Sequence, residues 1–80
     1  MNRSRSQYNK AQYLRIQAGY LEDDYPLEAL KLLEILFNEY PEPSQFASAF
    51  LQKAHCLVSL SREDESVEAF RDVLRYEEEY

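Results

Sequence analysis

Tyr25–Pro41 reads YPLEALKLLEILFNEYP, and its pattern decides the fold. Pro26 suits the first turn of a helix, where the N–H that proline lacks would have no intrahelical partner. Ala29, Leu33, Leu36, Phe37 and Tyr40 then recur at helical spacing, and Leu30, Leu32 and Ile35 widen the row. Glu28, Lys31, Glu34 and Asn38 fall on the opposite, wet side. There Glu28 with Lys31, and Lys31 with Glu34, are spaced three apart as weak ion pairs. Pro41 forces the preceding residue out of the α region and stops the run. The stretch predicts an amphipathic helix from Pro26 to about Tyr40, capped by Asp24 or Tyr25.

The flanks carry the same signature. Upstream, Ser4 or Ser6 suits a helix N-cap, and two apolar rows follow to Leu21. Tyr13, Ile16 and Tyr20 form one; Ala11, Leu14, Ala18 and Leu21 form the other. Glu22-Asp23-Asp24 closes that helix and places acid before the next N-terminus. Downstream, Pro41-Glu42-Pro43 is the sharpest break. Ser44 is the expected start of a third helix, to about Leu60, bearing Phe46, Ala47, Phe50, Leu51, Ala54, Leu57 and Val58. Ser61-Arg62-Glu63-Asp64 is the next turn, with Ser61 or Asp64 expected to cap a fourth helix carrying Val67, Ala69, Phe70, Val73, Leu74 and Tyr76. Short connections make consecutive helices antiparallel neighbours.

Shifting the chain by forty residues lays Glu28-Ala29-Leu30-Lys31 on Glu68-Ala69-Phe70-Arg71, Leu33 on Val73 and Glu39-Tyr40 on Glu79-Tyr80. Two helices per period near forty is the sign of a helical repeat array. Here the chain resembles the tetratricopeptide repeat family, whose motif falls on Tyr13, Ile16-Gln17, Tyr20, Ala29, Leu33, Leu36 and Pro41. Tyr20, Ala29 and Pro41 are identities; Gln17 and Leu36 depart from the small residues the family places there, so the hairpins are expected to splay. The second unit fits with about three extra residues in its Ser61–Ser66 turn. The resemblance implies an all-α chain of four helices in two antiparallel hairpins, stacked as a right-handed superhelix. One unit spans about residues 10–43 and a second about 44–80, with residues 1–6 as a flexible basic arm. Tyr80 stands where Tyr40 stands before Pro41, so the chain is expected to continue as further repeats or to be capped by oligomerisation.

Composition bounds the rest. Eighty residues make one small domain that buries only about 60% of its unfolded surface. One glycine and three prolines are too few for the turns of an all-β fold. The single Cys56 excludes an internal disulfide and suits a reducing cytoplasm. No run approaches about 18 uncharged apolar residues, so no membrane span is expected, and MNRSRSQYNK is followed by no apolar signal core. The net charge of -6 argues against general nucleic-acid binding. That charge is uneven. Met1–Leu21 carries Arg3, Arg5, Lys10 and Arg15 and no acid, whereas the remainder sets five bases against fifteen acids. Opposite ends of opposite sign offer electrostatic head-to-tail contacts.

Little here supports catalysis. His55 and Cys56 are adjacent, and helix neighbours point about 100° apart, a poor nucleophile–base pair. Glu22-Asp23-Asp24 lacks the alternating ligands and glycine of a calcium loop, and with one glycine there is no phosphate-cradling loop. The expected reading is therefore a non-enzymatic protein with no cofactor and no metal. The tyrosine-bearing basic segment Arg3–Arg15 is a lesser candidate for nucleic acid. In tetratricopeptide arrays the first helix of each hairpin lines the ligand-binding face. The resemblance thus implies a groove formed by Ala11, Leu14, Ala18 and Leu21 with Ser48, Leu51, His55 and Val58, suited to an apolar peptide or amphipathic helix. The partner is then a protein or peptide, as for an adaptor or chaperone-like module. The alternative is a small homodimer acting as a dedicated inhibitor or immunity-type partner, its apolar face covered by a second subunit.

Overall fold

The computed structural model describes the backbone of residues 2–79 and the side chains of residues 6–76. Four helices follow one another: α1 (Asn2–Leu21), α2 (Pro26–Glu39), α3 (Pro43–Ser59) and α4 (Glu63–Glu79). No strand occurs among the described residues. The chain is all-α.

Pro26 acts as expected, and Pro43 starts its helix one residue early. Tyr25 is the N-cap of α2 and Pro26 its first residue; Tyr25 contributes no side-chain cap, so the Tyr25 carbonyl accepting from Ala29 N–H at 3.0 Å opens the ladder. Pro43, and not Ser44, is the first residue of α3, with Glu42 extended at φ -103° before it. The fixed φ of proline is already helical, which moves the start one residue upstream.

Neither Ser61 nor Asp64 caps α4. Ser61 is left-handed at φ 61°. Its N–H donates to the Val58 carbonyl at 2.9 Å, and Arg62 N–H to the Leu57 carbonyl at 2.8 Å. That bond pair is the Schellman closure of α3, so Ser61 terminates one helix and lacks the extended backbone needed to cap the next. Asp64 lies inside the first turn of α4, where Glu63, Asp64 and Glu65 meet the positive end of the helix dipole. Arg62 just before that turn pairs with Glu65 through two bonds of 2.6 and 2.7 Å. This pairing holds the exposed Glu65 carboxyl below its ordinary range.

The backbone of residues 2–6, expected as an arm capped by Ser4 or Ser6, continues α1. Nothing in NRSRS breaks a helix, and serine costs only a few tenths of a kcal/mol there. The side chains of Arg3, Ser4, Arg5 and Glu77–Glu79, and all of Tyr80, lie outside the described residues.

α1 packs on α2 and α3 on α4, while α3 also touches both α1 and α2. The extents are 42 × 29 × 16 Å, a slab thin enough that every helix keeps a wet side. Ala29, Leu33 and Leu36 of α2 are fully buried, and Leu30 nearly so. Ala49, Ala54, Cys56 and Leu57 of α3 and Ala69 of α4 complete the far half of the core. Phe37 stacks on Phe50 (centroids 4.7 Å, 20°) and meets Phe46 edge-on at 5.5 Å. Both phenylalanines reach Tyr76 of α4, so one aromatic cluster joins α2, α3 and α4. The expected wet side of α2 is exposed at Glu28, Lys31, Glu34 and Asn38. Glu28 pairs with Lys31 at 3.5 Å, but Glu34 reaches across to Lys53 of α3 at 4.0 Å, not back to Lys31.

Candidate protein-interaction site

The eight residues expected to line one groove separate in the structure. Ala11 and Ala18 are fully buried, Leu14 is 7% exposed, and Leu21 packs against the core. Ser48, Leu51, His55 and Val58 of α3 are exposed. The α1 row is therefore core and lines no open groove. The reason is steric. α1 has α2 and α3 on the same side, and the face with two alanines lets both approach closely. The face with Tyr13, Ile16 and Tyr20 is too bulky for that and turns outward, with those residues 58%, 43% and 76% exposed.

The same observation corrects the register of α3. The expected groove pairs positions thirty-seven apart, such as Leu14 with Leu51 and Ala18 with His55. Burial pairs positions thirty-six apart: Ala18 with Ala54, Leu21 with Leu57, Leu14 with Phe50 and Ala11 with Ala47, all buried or half-buried. One residue is about 100° on a helix, so the slip takes Leu51, His55 and Val58 from the packed face to the free one. The close-packing residue of α1 is correspondingly Ala18, and Gln17 is only half-buried.

With that register, the joint between α1 and α3 shows what each helix face does. Arg15 Nε donates to Gln45 Oε1 at 2.6 Å. Gln52 Nε2 donates to the Arg15 carbonyl at 3.0 Å and to Glu22 Oε2 at 3.2 Å. His55 Nδ1 lies 3.7 Å from Glu22 Oε1. Gln52 Oε1 is buried without a hydrogen-bond partner. This polar ladder climbs both helices in the same direction, from Arg15 with Gln45 to Glu22 with His55.

Two rows of exposed apolar residues lie among the described residues, apart from single ones such as Tyr25 and Leu27. One is the Tyr13–Ile16–Tyr20 row of α1. The other joins Leu51 (40% exposed) and Val58 (52%) on α3 to Phe70 and Leu74 on α4. The His55 and Phe70 rings, 6.3 Å apart, bridge its two helices. Periodicity alone shows these residues as apolar rows on helices, and nothing in it distinguishes an uncovered row from a core row.

Cys56 is buried, and burial together with the nearby Glu22 carboxylate pushes its thiol up to about 11. A neutral, enclosed thiol is inert as a nucleophile. Among the described residues, no cluster of His, Cys, Asp or Glu could hold a metal ion, and no helix is long and apolar enough to cross a membrane. No protein-family model matches the chain, and it matches no curated protein and no solved structure.

Proposed function

We propose that the chain is a non-enzymatic protein-interaction module. In this reading its helices form two antiparallel hairpins stacked like tetratricopeptide repeats, and the end face of α3 and α4 binds an amphipathic helix of a protein partner. Contacts between helix ends support the hairpins: Gln7 near the start of α1 donates to the Pro41 carbonyl just past α2 at 3.0 Å, and Tyr76 near the end of α4 donates to the Pro43 carbonyl opening α3 at 2.8 Å. The climbing ladder between α1 and α3 supports stacking of the two units in the same sense.

One observation carries the binding role. Leu51, Val58, Phe70 and Leu74 are exposed apolar residues on two neighbouring helices, and His55, on the same row as Leu51 and Val58, reaches the Phe70 ring. Their α1 counterparts at the thirty-six-residue spacing are polar or small where α3 covers them, Arg15 for Leu51 and Glu22 for Val58. Leu and Val in place of Arg and Glu make this face a docking surface for an apolar stripe at helical spacing. The test is comparative capture from the native source. Wild-type chain and a Leu51→Glu/Val58→Glu variant serve as baits, with circular dichroism to show equal helicity. Partners retained by the wild type and lost by the variant are expected; capture unchanged by the two charges overturns the reading.

A further inference from the structure

We infer that the helix received by the α3–α4 face is α1 of a second copy of this chain, so that copies stack head to tail. This rests on the interaction face proposed above and names its occupant.

The internal joint supplies the template. Within one chain, α3 lies on α1 with Ala49, Gln52 and Cys56 turned inward, and Gln52 meets the Arg15 carbonyl and Glu22. At the thirty-six-residue spacing, the α1 residues equivalent to Ala49, Gln52 and Cys56 are Tyr13, Ile16 and Tyr20. These form the uncovered row of α1. The α3 residues equivalent to the receiving Arg15, Gly19 and Glu22 are Leu51, His55 and Val58, and these form the uncovered row of α3. Repeating the internal joint between two copies therefore brings Ile16 onto Leu51 and Val58, where Gln52 sits among Arg15 and Glu22 inside the chain. Both halves change character together. Gln52, bonded inside the chain to the Arg15 carbonyl and the Glu22 carboxylate, gives way to Ile16, and the surface it meets gives way to Leu51 and Val58, so both halves of the joint between copies are apolar. The larger Tyr13 and Tyr20 replace Ala49 and Cys56, which sets the joint between copies wider than the internal one.

Charge points the same way. α1 carries Arg3, Arg5, Lys10 and Arg15 with no acid, whereas α4 carries eight acids against Arg71 and Arg75. Stacking α1 of one copy against α3 and α4 of the next sets opposite signs side by side, while α1 on α1 or α4 on α4 sets like signs together. The contact is heterologous, using different surfaces on the two copies, and each added copy leaves both end faces free.

The test is sedimentation velocity on the full chain from low micromolar to about 0.5 mM, with Ile16→Glu and Leu51→Glu. Both positions are exposed, and circular dichroism checks that each variant keeps its helicity. The wild type is expected to grow in mass with concentration beyond a dimer, with higher salt weakening growth. Each variant alone is expected to require at least about tenfold more protein to associate. A 1:1 mixture is expected to stop at a dimer. The intact α1 of Leu51→Glu docks on the intact α3 of Ile16→Glu, and the other two ends set glutamate against glutamate. A wild-type monomer throughout, a plateau at a symmetric dimer, or a mixture no more associated than its parts overturns the inference. A monomeric chain that still captures another protein in a Leu51-dependent manner overturns the occupant alone. A monomeric chain whose captures ignore Leu51 overturns the interaction face as well.

Discussion

The Gln52 side-chain amide of α3 donates to the Arg15 carbonyl of α1 across 3.0 Å, a bond that bypasses the Arg15 side chain and ties the α3 side chain to the α1 backbone. The same nitrogen donates to Glu22 Oε2, while Gln52 Oε1 finds no partner. Replacing the amide by a carboxylate turns two attractive contacts into repulsions with a carbonyl and a carboxylate. Gln52→Glu is therefore expected to lower stability by about 2 kcal/mol and Gln52→Ala by about 1 kcal/mol. Urea unfolding at neutral pH measures both, and an unchanged midpoint for Gln52→Glu would show that the bridge does not hold α3 to α1.

Gly19 sits beside the same amide. A Cβ built there would meet Gln52 Nε2 at 3.4 Å, ordinary van der Waals contact with the end of a flexible side chain. The glycine lies in the last turn of α1 with no positive φ, so it weakens that turn without a conformational need. Gly19→Ala is expected to stabilise by about 0.5–1 kcal/mol, read as a rise in the thermal midpoint.

At Ser61 the logic reverses. Its φ of 61° places a Cβ-bearing residue in the left-handed region that the Schellman closure of α3 requires. Ser61→Gly is expected to raise stability by about 1 kcal/mol and Ser61→Val to lower it by more. The pair distinguishes a conformational effect from a lost hydroxyl, because both remove the oxygen.

Leu14 and Leu51 were expected on one groove, and burial sets them apart. Leu14→Asp places a charge in the core and is expected to cost about 3 kcal/mol or more, enough to unfold a domain of this size. Leu51→Asp is expected to leave helicity unchanged while abolishing association. Circular dichroism beside sedimentation separates the two, and equal effects on folding would contradict the thirty-six-residue register.

Cys56 gives a pH signature. Its thiol is pushed up to about 11 from an ordinary value of 9.0, so above that ordinary value the unfolded chain releases a proton that the folded chain keeps. Stability contributed by this group is complete below pH 9 and lost as pH rises toward 11, by about 1 kcal/mol between about pH 8 and pH 10. Cys56→Ala is expected to be less stable at neutral pH, from the lost packing, but to show a flatter fall over that window. Parallel slopes for the two proteins would mean that the thiol titrates alike in the folded and unfolded states.

The sequence by itself determined the helices and most of their limits. Pro26 set the start of α2, because a ring-locked φ acts through the residue's own backbone, and the same property at Pro43 starts α3 one residue before the expected Ser44. Ala29 and Ala69 were legible as inward positions, and both are buried. Periodicity also showed that α1 carries two apolar rows, more than one packed side needs. Which apolar row each helix buries was decided only by the tertiary structure. The two rows of α1 are equally periodic, and the choice of Ala11–Leu14–Ala18 over Tyr13–Ile16–Tyr20 came from having α2 and α3 together on one side, where alanine admits a close approach and tyrosine does not. Likewise a one-residue slip in aligning α3 with α1 barely changes the match of letters, yet it rotates Leu51, His55 and Val58 by about 100°, from core to open face. Local chemistry sets backbone conformation; the facing of a helix depends on neighbours distant in the chain.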